Sequence, residues 1–170
     1  MTDVVTYHVL KEDNCPSLSE RSILTYHLGC QEINDVGQEG IYIRIFKNSG
    51  KGCFSNEWVS FGSLETVLKP SASLSCHSLK DVLHGKSVNT GGFLLAVLKD
   101  LGLIEQSAAQ KRRYEVLDIG PFKAEMTDLQ KSDIRLAIDE PVAARKSKAD
   151  KVTQEATPKR PPGRPRKAKP

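Results

Sequence analysis

The hydrophobic period of this chain changes from that of a strand to that of a helix at Gly62, and that change restricts the fold more than any other feature. Before it, "GIYIRIFK" (40–47) alternates strictly. Tyr42, Arg44 and Phe46 fall on one side and Ile41, Ile43 and Ile45 on the other, the period of two of a strand with one buried face. "NSGKG" (48–52) holds residues suited to a hairpin loop, and "CFSNEWVSF" (53–61) returns as the partner strand. "SILTYHLG" (22–29) sets Ile23, Thr25 and His27 against Leu24, Tyr26 and Leu28 and supplies a third strand; a short helix over 19–29 is the alternative. "VVTYHVL" (4–10) reads as a short strand and "EDNCPS" (12–17) as a turn around Pro16. Trp58 and Phe54 are expected to pack the hairpin onto the helices that follow.

After Gly62 the period is helical. "SLETVLK" (63–69) puts Leu64, Val67 and Leu68 on one face, with Ser63 as a cap and Pro70 as the stop. "CHSLKDVLHG" (76–85) does the same with Leu79, Val82 and Leu83 and ends at Gly85. "TGGFLLAVLKDLG" (90–102) is the third helix, capped by Asn89 or Thr90 and closed by Gly102. Residues 103–118 read as strand, loop, strand. "FKAEMTDLQKSDIRLAIDE" (122–140) predicts one amphipathic helix, with Met126, Leu129, Ile134, Leu136 and Ile138 for burial and Pro141 as its end. The expected class is therefore α+β. A β-rich part (1–61) and a helical part (62–120) form one body, followed by a helix within 121–141 and a tail (142–170).

The order helix, helix, turn, helix, hairpin over 63–118 resembles a winged helix-turn-helix. That resemblance implies a three-helix unit with a β-wing, in which Lys111, Arg112 and Arg113 at the hairpin tip meet phosphates. The third helix opens Gly91-Gly92-Phe93-Leu94-Leu95, which offers few side chains that read base edges. Contact with a protein, or with a second copy, is the alternative use of this part.

Charge separates the tail from the body. Residues 142–170 hold ten Lys/Arg against two acids, a net of +8; the whole chain carries +4, so the first 141 residues carry −4. The tail has no aromatic residue, and its Ala/Lys/Pro composition predicts disorder in the free chain. Its end, "PKRPPGRPRKAKP" (158–170), resembles the AT-hook of the high-mobility-group A family. Gly163, Arg164 and Pro165 match the last three positions of the Arg-Gly-Arg-Pro core; Lys159, Arg160, Arg166 and Lys167 match its basic flanks. Pro162 stands where the family has its first core arginine. The chemistry of the motif is simple. A narrow A·T minor groove attracts arginine, glycine lets the backbone approach the groove floor, prolines preset an extended backbone, and flanking cations reach phosphates. A solvated basic tail or a nuclear import signal is the plainer alternative, and needs charge without Gly-Arg-Pro order.

Nothing else competes with the tail. "MTDVVTYHVLKEDN" lacks a secretory pattern and no apolar run reaches the ~18 residues of a membrane span, so an intracellular protein of nucleoid, cytoplasm or nucleus is expected. Cys15, Cys30, Cys53 and Cys76 form no CxxC pair, which favours reduced thiols and disfavours zinc. "NSGKGCFS" lacks the glycine and Ser/Thr of a phosphate loop, with Ile45 and Gly52 in their places. His8, His27, His77 and His84 have no paired spacing and read as structural or surface residues. The expectation is a non-enzymatic protein without metal or cofactor, bound to A·T-rich DNA as a transcription regulator or chromosome-architecture factor. The alternative is a protein-interaction adaptor whose tail solubilises it or binds RNA.

Overall fold

A computed structural model describes residues 5–33, 38–70 and 72–139. In chain order its elements are β1 (Val5–Pro16), β2 (Ile23–Ile33), β3 (Gln38–Asn48), β4 (Val59–Ser60), α1 (Phe61–Glu65), β5 (Ser73–Leu74), α2 (Val88–Asp100), β6 (Ile104–Gln106), β7 (Tyr114–Val116), α3 (Gly120–Lys131) and β8 (Ala137–Asp139). β4-β3-β2-β1-β8 make an antiparallel five-stranded sheet, and β5-β7-β6 make a three-stranded one.

The alternation of 22–29 and 40–47 becomes the two faces of the large sheet. Leu24, Tyr26, Leu28 and Cys30 of β2, with Ile43 and Ile45 of β3, are buried on the inner face. They pack in one continuous core with Leu94, Leu95, Ala96, Val97 and Leu98 of α2, Tyr114 of β7, and Phe122 and Met126 of α3. Five consecutive buried residues make α2 apolar nearly all round, the signature of a helix enclosed by its neighbours. Each leucine so buried contributes roughly 1.5–3 kcal/mol.

The helical part departs from expectation: the winged-helix-like three-helix unit does not form. Residues 76–85, expected as its second helix, are a run of turns. They close by separate bonds, Ser78 N–H to Ser75 O (3.0 Å), Lys80 N–H to His77 O (3.1 Å) and Leu83 N–H to Leu79 O (2.9 Å), instead of a continuous ladder. The reason is local. A ten-residue segment meets the nucleation cost of a helix with few bonds in return, even though Ser78 Oγ accepts the Ser75 N–H at 3.1 Å, as at a helix start. Leu79 and Leu83 are buried all the same. The first expected helix is cut to α1, five residues long, leaving α2 as the thirteen-residue helix at the centre.

Three other differences concern the large sheet. β1 runs through the expected turn at 12–17, because Glu12 and Asn14 pair with His27 and Thr25 of β2. β4 pairs with only Tyr42 and Ile43 of β3, so the expected strand over 53–61 shrinks to two residues. The helix expected over 122–140 ends at Lys131, and β8 then crosses to β1, pairing Ile138 with His8. The expected disordered tail, 142–170, lies outside the described residues.

Candidate functional site

The three cations expected to meet phosphate sit at the tip of the β6–β7 hairpin. Lys111, Arg112 and Arg113 are all exposed. Ser107 N–H donates to Arg113 O (2.9 Å), Arg113 N–H to Gln110 O (3.0 Å) and Gln106 Nε2 to Lys111 O (2.7 Å). These bonds close the loop on itself. Among the described residues none of the three cations makes an ion pair, and the loop 107–113 carries no acid. The strands below it are different: Glu105 and Glu115 face each other as an exposed cross-strand pair. A cationic tip thus stands on an acidic base. Lys159, Arg160, Gly163, Arg164, Pro165, Arg166 and Lys167 of the hook-like stretch lie outside the described residues.

The outer face of the large sheet holds a polar network that sequence reasoning missed. His27, Arg44 and Glu12 come from three strands that register brings side by side. Arg44 Nε donates to His27 Nδ1 at 3.1 Å, and His27 Nε2 lies 2.6 Å from Glu12 Oε2. Guanidinium has only donors, so Nδ1 must be the acceptor and the ring proton sits on Nε2, aimed at Glu12. With both nitrogens engaged, the imidazole holds Arg44 in place and has no lone pair left for abstracting a proton. Arg44 also lies over the rings of Trp58 (4.5 Å) and Phe46 (5.2 Å), contacts that are favourable for a desolvated cation. Trp58 stacks on Tyr7 at 5.3 Å and covers Gly29, where an added Cβ would come within 2.7 Å of the indole and 2.5 Å of His8 O. So Trp58 closes the outer face of the sheet and does not pack on the helices as expected. Phe54 does reach them, meeting Phe93 of α2 edge-on at 6.1 Å.

Burial sets the state of several other groups. Cys15 is pushed up to about 12, first by burial and then by Asp100 and Asp13. Burial raises Tyr26 further, helped by the hydrogen bond its hydroxyl donates to Asp100 Oδ2 at 2.8 Å. Both groups stay protonated and unreactive at neutral pH. Cys53 and Cys76 are exposed. Cys76 opens on a cavity of about 580 Å³ between the turn run and the first turn of α2, and His77 and His84, both exposed, line it as well. Among the described residues no group of three or more His, Cys, Asp or Glu is placed to hold a metal ion, and no helix is long and apolar enough to cross a membrane. Comparison of the chain with protein-family models, curated proteins and solved structures returns no match.

Proposed function

We propose that this is a DNA-associated protein, acting in transcription regulation or chromosome architecture inside the cell. The tail holds A·T-rich minor groove through Gly163, Arg164 and Pro165, with Lys159, Arg160, Arg166 and Lys167 on phosphates. The observation that carries the reading is the charge split, +8 on the tail against −4 on the body, together with Gly-Arg-Pro order inside the basic stretch. Lys111, Arg112 and Arg113, exposed and without an ion pair among the described residues, support a second, weaker phosphate contact from the body. The acidic strands behind them make that contact local to the tip.

The test is binding of the full chain and of residues 1–141 to A·T-rich and G·C-rich duplexes across salt. Residues 1–141 retain every described residue. Each phosphate neutralised adds about −0.9 to the log–log salt slope, so removing the tail should flatten it sharply. Equal binding by the two chains sinks the reading. Arg164→Ala should lower A·T preference more than Lys169→Ala does; an equal loss means that charge alone is responsible.

A protein-interaction role is the second reading, favoured by Ile134 and Leu136, which are 54% and 58% exposed beside β8. Sedimentation of the full chain against Ile134→Lys/Leu136→Lys tests it: an assembly that these changes dissociate supports it, and a monomer in both cases counts against self-association.

A further inference from the structure

We infer that the cavity between the turn run 76–86 and the start of α2 is a binding site for a small organic anion with an apolar body. Its volume, about 580 Å³, lies within the range of small-molecule pockets. The lining joins two kinds of chemistry. Leu83 and the aliphatic stems of Lys80 and Lys86 give apolar wall, the two lysines bring ammonium donors, and each ring of His77 and His84 brings an N–H donor. Among the described residues no acid lines it, although the first 141 residues carry net negative charge.

The cations are not equivalent. Lys86 is held by Glu57, whose carboxyl is in turn held below its ordinary range by that contact. Lys80 has no ion-pair partner among the described residues, so an entering carboxylate, sulfonate or phosphate meets an uncommitted charge there. The back of the site is tightly built. Gly91 of α2 is buried, and a Cβ on it would stand 3.2 Å from Cys76 O. The helix therefore approaches the turn run more closely than alanine would comfortably permit, and this holds the two walls at a fixed separation.

The probe is 1-anilinonaphthalene-8-sulfonate, an aromatic body with one anionic group, added to the full chain carrying Cys53→Ser. Cys15 and Cys30 are buried, which leaves Cys76 as the exposed thiol among the described residues. Saturable binding of one probe per chain is expected, with a rise in melting temperature, since a ligand of the native state stabilises it. That rise separates the site from probe taken up by a loosened core. Saturating probe should slow alkylation of Cys76 by iodoacetamide. Lys80→Glu/His84→Glu should weaken binding about tenfold or more, and Lys80→Ala, a milder change at an exposed position, should weaken it in the same direction. Absent binding, affinity unchanged in Lys80→Ala, or alkylation of Cys76 at an undiminished rate overturns the inference. None of these readouts depends on DNA.

Discussion

Two neighbouring segments with the same hydrophobic spacing end in different backbones. In 76–86, Leu79, Val82 and Leu83 recur as a helix would place them, and the chain makes turns. In α2 the same kind of pattern makes thirteen helical residues. The difference lies in what each segment buries. The turn run buries two leucines, Leu79 and Leu83; α2 buries five residues in succession. Periodicity therefore says which side chains go inward. Whether a hydrogen-bond ladder forms beneath them depends on total burial.

The sharpest way to break this comparison is to remove the anchors. Leu95→Ala and Leu79→Ala delete side chains with no exposed surface, and each should cost about 2–5 kcal/mol in urea unfolding. A cost below about 1 kcal/mol for Leu79→Ala would mean that the turn run is not anchored by burial. Alkaline pH comes next and reaches α2 through the sheet. Cys15 and Tyr26 both have folded values above their ordinary ones, so the native state holds these protons more tightly. The associated stability is complete below pH 9 and falls from there to about 12 for Cys15, by at most roughly 1.4 kcal/mol per pH unit. Urea midpoints at pH 8 and 10 should show the loss, and Cys15→Val should reduce it. Two glycines then separate the segments directly. Gly85 ends the turn run at φ 75°, with no atom near its missing Cβ, so Gly85→Ala should cost about 1–2 kcal/mol through the backbone alone. Gly92 lies inside α2, and its Cβ would make an ordinary 3.8 Å contact with Cys76 Sγ. Gly92→Ala should stabilise by about 0.5–1 kcal/mol, visible as a higher thermal midpoint.

The inner face of the large sheet was legible residue by residue, since alternation in β2 and β3 decides which side chains face the core. The extent of β1 was not. Asn14 reads as a turn former, yet its Oδ1 accepts a hydrogen bond from Thr25 Oγ1 at 2.8 Å across the pair, so a turn-type side chain serves as a cross-strand partner. β8 was hidden because Ala137–Asp139 pairs with β1, far away in sequence, and local pattern carries no such information. The cationic hairpin tip was visible as "QKRR". The Glu12–His27–Arg44 network was not: each residue is unremarkable by itself, and only the register of three strands assembles them. The cavity was unreadable for a related reason, since its walls meet only because the expected second helix is a run of turns.

The pairing of β8 with β1 has a consequence for synthesis. Tyr7, His8 and Val9 leave the ribosome ahead of every later described element, whereas their partners, Asp139, Ile138 and Ala137, leave after all the others. Until then one edge of the nascent sheet keeps open backbone groups, the kind of unpaired edge that recruits other chains. Closure of the sheet is thus a late event, and chains released before residue 137 should be the ones that aggregate in the cell.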